Sequence, residues 1–324
     1  MARFTRREVL AAAALAPLAT VRASAASYPE RPIRVIIPYT AGGVAESIMR
    51  LLAVRMEPQL KQKLVFEAKP GAAGNIGTQE VARAEPDGYT LLVAAANNFV
   101  INQFLIKMAF DPLTALTPVA KIADVPLVFF AHPSVPARTL TEFIAYARAN
   151  PGKLNYGTPS SGTVNHLFIE RLKQATGIDL THVPFRGSPQ GAMALLANEI
   201  QLFPIGLSVG APHLKEGKLT AIALATEQRL AQLPDVPTVI ESGFPGFTAA
   251  NWWGMAAPKG TPDAVVEVVR EAVIEAQKDP VVLERFTAMG LLVPSATRAE
   301  FAAGIKAEAE LWSRTVAQGK ITLE

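Results

Sequence analysis

Apolar positions along the chain fall into short unbroken runs separated by segments of helical spacing. The run Arg34–Tyr39 predicts a strand, ended by Gly42-Gly43. Ile48, Leu51, Leu52 and Met56 then recur at helical intervals, which predicts a helix over Glu46–Met56. Leu64–Glu67 reads as a second strand. Gly71–Gly77 opens a helix over Thr78–Ala84, and after the Asp87-Gly88 turn Tyr89–Ala95 is a third apolar strand. Unbroken apolar strands in β–α–β order predict a parallel sheet covered on both faces.

The pattern then restarts. Strands are predicted at Pro126–Phe130, Leu154–Gly157, Leu180–Val183, Leu202–Ile205 and Leu219–Ala225. Between them lie helices over Leu140–Ala149, Asn165–Thr176 and Ser188–Asn198, with a short one at Ala211–Glu216. After the Pro-rich stretch Leu233–Pro245, Trp252–Ala256 reads as a strand. Amphipathic helices over Pro262–Gln277 and Arg298–Gln318 close the chain. Two successive α/β units predict a bilobed molecule. In open α/β sheets ligands bind where strands end and helices begin. The candidate loops are therefore 39–46, 95–102, 158–165, 185–189 and 206–210.

The amino terminus changes how the charge is read. Arg3, Arg6 and Arg7 precede a short apolar run from Val9 to Val21, and Ala23-Ser24-Ala25 is a small-x-small cleavage signal. Thr5-Arg6-Arg7-Glu8-Val9-Leu10 reads as a twin-arginine export signal, which makes residues 1–26 a signal peptide and the periplasm the destination; an ordinary Sec signal with incidental paired arginines and a retained amino-terminal anchor are the alternatives. The run is too short to span a bilayer, so the mature form is not membrane-embedded. The 324 residues carry 31 Lys+Arg and 28 Asp+Glu, a formal net charge of +3. Arg3, Arg6, Arg7 and Arg22 against Glu8 account for that whole excess. The mature chain is formally neutral, which excludes a nucleic-acid footprint. The absence of Cys removes thiol catalysis and thiolate metal sites.

Two loops suit an anion. Tyr39-Thr40-Ala41-Gly42-Gly43-Val44 leads from a strand into a helix, so backbone N–H groups converge at the positive end of the helix dipole. Thr158-Pro-Ser160-Ser161-Gly-Thr163 has the same character with hydroxyls added. Each equally suits a turn with a helix cap. Glu46 is either a first-turn acid favoured by the dipole or a ligand contact. Arg186 suits an anion or a salt bridge. Asn97, Asn98 and Asn102 suit turns or cleft contacts, and Phe99, Phe203, Trp252 and Trp253 suit a pocket wall or a core.

Enzyme motifs fail. Gly206-Leu-Ser208-Val-Gly210 matches a nucleophile elbow, but His213 follows too closely, with no acid between. No phosphate-binding G-x-x-x-x-G-K-[ST] occurs. His132, His166, His182 and His213 lie one to a segment, without metal-ligand spacing. Neither a cofactor nor a metal is expected.

Several segments together resemble a known family. They include Tyr28-Pro-Glu-Arg-Pro-Ile-Arg-Val-Ile-Ile-Pro-Tyr-Thr-Ala-Gly-Gly43, Lys69-Pro-Gly-Ala-Ala-Gly-Asn-Ile-Gly77, Pro86-Asp-Gly-Tyr-Thr-Leu-Leu92 and Asn150-Pro-Gly-Lys-Leu-Asn-Tyr156. His182-Val-Pro-Phe-Arg-Gly-Ser188, Leu233-Pro-Asp-Val-Pro-Thr238 and Ala257-Pro-Lys-Gly-Thr-Pro262 continue the set. In order and spacing they resemble the Bug family, periplasmic solute-binding proteins of tripartite tricarboxylate transporters. The resemblance implies a type II periplasmic-binding-protein fold: two α/β lobes with parallel or mixed sheets, a hinge and a ligand cleft between them. Residues 27–125 and 239–324 would form the first lobe and 126–238 the second.

The resemblance further implies capture of a small organic carboxylate and delivery to a membrane permease, by a monomer. A sensor for a receptor kinase, and an enzyme on the same fold, are the competing readings. By motif match, Tyr39 to Val44 and Thr158 to Thr163 would grip the carboxylate. Many members carry Asp where Glu46 stands, His at Phe99, and an Asp-Asn pair at Ile205 and Gly206. These departures argue against an amino-acid ligand and for an apolar or aromatic ligand body. The expected ligand set is Tyr39, Thr40, Ala41, Gly42, Gly43, Val44, Glu46, Asn98, Phe99, Thr158, Ser160, Ser161, Thr163, Arg186, Ile205 and Ser208.

Overall fold

A computed structural model describes residues 28–323. The signal-peptide reading of residues 1–26 lies outside them. Strands β1 (Ile33–Ile37), β2 (Leu64–Ala68) and β3 (Thr90–Ala95) are parallel, as their apolar runs predict. β9 (Ala250–Pro258) then lies antiparallel to both β3 and the long β4 (Leu116–Ala131). β5 (Leu154–Thr158), β6 (Leu180–Pro184) and β7 (Leu202–Gly206) run parallel to one another, but β7 and β8 (Thr220–Leu224) are antiparallel to β4. The sheet order is β2-β1-β3-β9-β4-β7-β5-β6, with β8 also on β4. The first three strands are parallel as expected, and the antiparallel β9, β4 and β8 make the whole sheet mixed, one of the two arrangements the family resemblance allows. Apolar runs report burial on both faces and carry no information about strand direction.

β4 joins the two halves. Its residues from Leu116 to Pro126 pair with β9, and those from Leu127 onward pair with β7 and β8. β1 and β3 run in the same direction as β4, whereas β5, β6 and β7 run against it. The carboxyl ends of both strand sets therefore point toward the Val125-Pro126 junction. Only the second half of β4 was predicted. The first half carries Pro118, Lys121 and Asp124 and two register irregularities, which interrupt the apolar run.

Helices cover both faces. α1 (Val44–Leu60), α10 (Asp263–Gln277) and α11 (Pro280–Ala288) pack Ile48, Leu52, Val269 and Phe286 onto one face of the first half. The other face holds α2 (Asn75–Ala82), the short α3 (Ala96–Val100), α4 (Asn102–Leu105) and α5 (Pro112–Ala115), and α12 (Arg298–Gly319). α12 continues onto the second half, where Gln174 Nε2 donates to Thr315 O at 3.1 Å. The core beneath it runs unbroken from Phe99, Trp252 and Phe301 to Phe129, Tyr156 and Phe168, with α6 (Leu140–Ala149) and α7 (Val164–Thr176) covering it. α8 (Ser188–Leu196) and α9 (Leu207–Lys215) bury a third core around Phe130, Phe203 and Ile205. α11 went unpredicted. Among the described residues no helix is long and apolar enough to cross a membrane.

Candidate functional site

The loop after β1 enters α1 at Gly43, an extended N-cap with no side-chain hydrogen bond. A helix leaves its first N–H groups without intrahelical partners, and these carry its partial positive charge. Thr40, Ala41, Gly42 and Val44 are exposed beside them. The loop keeps one amide for itself: Gly42 N donates to Glu46 Oε2 at 2.8 Å. Arg50 Nε donates to Glu46 Oε1, also at 2.8 Å. The Gly42 amide first, and Arg50 next, hold the Glu46 carboxyl below its ordinary pKa. Glu46 therefore locks the loop's shape, and its charge is matched by Arg50.

Tyr39 anchors the loop from below. Its hydroxyl donates to Asn98 Oδ1 at 2.5 Å and accepts from Ala95 N at 2.9 Å. Burial pushes its pKa up. Asn98 Nδ2 and Asn102 Nδ2 both donate to Ala73 O at 3.0 Å, and Asn102 also reaches Asn75 Oδ1 at 2.8 Å. Ala72 and Ala73 adopt positive φ, 48° and 54°. That is a left-handed conformation that L-residues avoid, at a cost of roughly 1–3 kcal/mol each. The strained turn delivers the Ala73 carbonyl to two buried amides and ties together the loops after β1, β2 and β3. Asn98 and Asn102 lie in short helices rather than turns, and both are buried.

The loop after β5 is satisfied internally. Thr158 Oγ1 and Thr163 Oγ1 both donate to Ser160 O at 2.9 Å. Thr163 also caps α7 at His166 N. Gly162 N donates to His166 Nδ1 at 3.2 Å, and His182 Nε2 lies 2.6 Å from Thr158 Oγ1. What faces solvent is the exposed Ser160, with Ser161 half-buried. The free helix ends in this half are those of α8 and α9, which start at Gly187 and Gly206 without side-chain caps. Of the helices that begin elsewhere, α6, α11 and α12 are capped by Thr139, Asp279 and Thr297, whereas α10 starts at Pro262 without a side-chain cap. Arg186 is exposed beside the α8 terminus and forms no ion pair among the described residues.

The structure sorts the expected ligand residues. The 39–44 loop, Glu46 and Asn98 form one bonded unit, and Thr158, Ser160 and Thr163 form a second. Beyond β4 and the core beneath α12, glycines of the halves also come into close approach at two loop contacts. A Cβ built on Gly290 would stand 3.0 Å from Ser208 N, and one on Gly162 would stand 3.0 Å from both Leu105 and Leu323. Phe99 and Ile205 are placed elsewhere, 2% and 0% exposed within cores. Phe99 packs 5.1 Å from Trp252. Neither side chain faces a cleft, so an apolar ligand body draws no support from them. His166, His182, Ala73 and Asn75 were missed as loop supports. The Gly-Ala-Ala-Gly-Asn run was the available signal for the last two. No cluster of His, Cys, Asp and Glu among the described residues suits a metal.

Comparison with known proteins supplies the context. Residues 48–318 match the model of the tripartite tricarboxylate transporter family receptor. A Bordetella pertussis protein is 37% identical over 267 residues, 82% of this chain and 83% of its own length. BugT of the same organism is 31% identical over 295 residues, 90% of each chain. Among solved structures, MatC of Rhodopseudomonas palustris with bound malate is 31% identical. It covers 89% of this chain and all of its own, with a TM-score of 0.75. A second R. palustris protein, solved with adipate, is 29% identical over 91% of this chain and all of its own, with a TM-score of 0.78. The curled, two-part sheet is the two-lobed arrangement of periplasmic binding proteins.

Proposed function

This chain belongs to the tripartite tricarboxylate transporter receptor family, a family of solute-binding receptors rather than enzymes, and on that premise we propose that it captures a small organic dicarboxylate between its lobes. The carrying observation is the pair of uncapped helix termini in opposite halves. In this reading one carboxylate takes the free amides at Val44 and Ala45, and the other takes Arg186 and the Ser188 amide at the α8 terminus, the Gly187 amide being held by Pro159 O at 2.8 Å. Ser160, Ser161 and Ser208 supply hydroxyls at the rim. Residues 27–125 with 239–324 would move against 126–238 about the crossing strands β4 and β9, closing over the ligand. The closed form would then be presented to a membrane permease, after export directed by residues 1–26.

The ligand in this reading carries no ammonium group. Glu46 is the sole acid in the five strand-end loops, and its carboxylate is committed to Gly42 and Arg50. Support for a dicarboxylate also comes from the malate and adipate bound by relatives. Calorimetry with adipate, malate and aspartate tests the proposal. Saturable binding of one of the first two, with aspartate at least about tenfold weaker, is expected; a tenfold change corresponds to ~1.4 kcal/mol. Aspartate binding as tightly, or no binding by any of the three, would overturn it.

A further inference from the structure

A second cavity, of about 900 Å³, opens beside the Val125-Pro126 junction of β4, where β9 begins. Its walls come from β4, β9, the turn at 225–232, residues 246–250 and α12, and it shares no residue with the strand-end loops. A volume of this size suits a drug-sized organic molecule. At its back Trp252 Nε1 donates to both oxygens of Glu308, at 3.1 and 3.0 Å. Trp312, 1% exposed, lines the same space, and its Nε1 forms no hydrogen bond, although it stands close enough to Glu308 to favour the carboxylate. Glu308 thus sits among two indoles and has no ion-pair partner among the described residues.

The charges lining the cavity do not balance. Lys121 Nζ is 2.6 Å from Asp124 Oδ1, which pairs those two. Arg229 is held by Glu241 at 2.9 Å. Glu308, recessed against the indoles, and Glu227, at the exposed mouth, form no ion pair among the described residues, although Lys121 attracts the Glu308 carboxylate from a distance. Burial raises the pKa of Glu308 and of Asp124, against an opposing pull from Lys121 on both. A buried carboxylate beside aromatic faces is the environment that an organic cation satisfies, through the ion pair and through attraction to the ring quadrupoles.

We propose that this cavity is a second ligand site, which takes an organic ammonium with an apolar body. The ammonium sits against Glu308, on the side away from the Lys121–Asp124 pair, and the body lies on Trp252, Trp312 and Leu311. Because its walls include Asp124 and Pro126 of β4, an occupant touches the strand that joins the lobes.

Titration of the purified protein with phenethylammonium chloride, against matched sodium chloride, tests the site through tryptophan fluorescence and calorimetry. Two of the chain's three Trp line the cavity, so a saturable fluorescence change is expected. Glu308→Gln should weaken binding about tenfold or more, the scale of one charged hydrogen bond. Ala307→Trp, which fills the cavity from an exposed helix position, should abolish binding, and it decides the matter if Glu308→Gln folds poorly. The isosteric anion 3-phenylpropanoate should leave this site empty in both titrations. Absence of saturation, undiminished binding to both variants, or equal binding of the anion would overturn the assignment.

Discussion

The imidazole rings of His166 and His182 stack with centroids 3.9 Å apart and planes 12° from parallel. Tyr156 extends the stack, 4.9 Å from His182. Its hydroxyl donates to Glu170 at 2.6 Å, and Lys173 pairs with the same carboxylate. The hydrogen bonds assign both tautomers. Gly162 N donates to His166 Nδ1, which places that ring's proton on Nε2. Thr158 Oγ1 gives its proton to Ser160 O, so His182 Nε2–H donates to Thr158. Two neutral rings hold the loop after β5: protonation of His166 at Nδ1 would break the bond from Gly162 N, and a charged His182 is opposed by its burial.

Acid should therefore loosen this loop. Burial first, then the neighbouring His166 and Lys173, push His182 from 6.5 down to about 3, and burial also lowers His166 against an opposing pull from Glu170. The unfolded chain then binds more protons than the folded one between about 6.5 and 3, so stability present above pH 6.5 is lost as pH falls through that window. Melting temperature should decline between pH 7 and 5, before most carboxylates titrate. His182→Phe, which keeps an aromatic ring in the stack, should flatten that decline. An equal slope in the variant would remove His182 from the explanation.

Arg186→Ala should separate binding from stability. The side chain is exposed and unpaired among the described residues, so its loss should change the unfolding free energy by no more than about 0.5 kcal/mol. A charge-assisted hydrogen bond to a carboxylate contributes about 1.5–3 kcal/mol, so dicarboxylate affinity should fall roughly 10- to 100-fold. Calorimetry beside a thermal melt reads both quantities. Unchanged affinity would place the second carboxylate elsewhere.

Tyr39→Phe removes a hydroxyl that is both donor and acceptor in a buried network, leaving Ala95 N and Asn98 Oδ1 unsatisfied. The expected loss is about 1–3 kcal/mol in denaturant unfolding. Affinity should fall too, because the loop after β1 loses its anchor to α3. A loss of stability with affinity intact would show that the 40–44 backbone keeps its shape without Tyr39.

The strand-to-helix alternation was legible because each element carries its own local signal. α6 matches its predicted span because Thr139 caps it and its apolar spacing is regular. α11 was signalled too, by Asp279 capping Val281 and Val282 with Pro280 behind it, but Leu283 and Val281 face outward and blur the apolar stripe. What stayed hidden depends on distant partners: the antiparallel return of β9, the meeting of His166 with His182, and the burial of Asn98 and Asn102 beneath Ala73. The Gly-rich loops of the candidate site were legible as helix entries. Which of them kept free amides was not, because Glu46 and Thr163 each engage their own loop by bonds that spacing alone does not reveal.

Phe99 and Ile205 illustrate the same gap and are testable together. Both were expected at the ligand and both lie in cores. Phe99→Ala should cost about 3–5 kcal/mol and Ile205→Val about 0.5–1.5 kcal/mol. Ile205→Val should leave carboxylate affinity unchanged, as read by calorimetry. A clear affinity change in that variant would put Ile205 back at the ligand.

Gly290 offers a way to perturb the lobes' approach. It follows α11 with φ +67°, and an added Cβ would press 3.0 Å from the backbone nitrogen of Ser208 at the start of α9. Gly290→Ala therefore carries two costs, left-handed strain and a clash with a neighbour that cannot rotate away. Gly217 has the same φ of +67° and nothing within 4 Å, so Gly217→Ala carries the strain alone. The strain is roughly 1–2 kcal/mol at both sites. Any additional effect at Gly290 reports the contact between halves. If that contact belongs to the closed arrangement, Gly290→Ala should weaken dicarboxylate binding and enlarge the radius of gyration of the liganded protein in small-angle scattering, with Gly217→Ala unchanged in both. Equal behaviour of the two variants would show that the Ser208–Gly290 approach plays no part in closure.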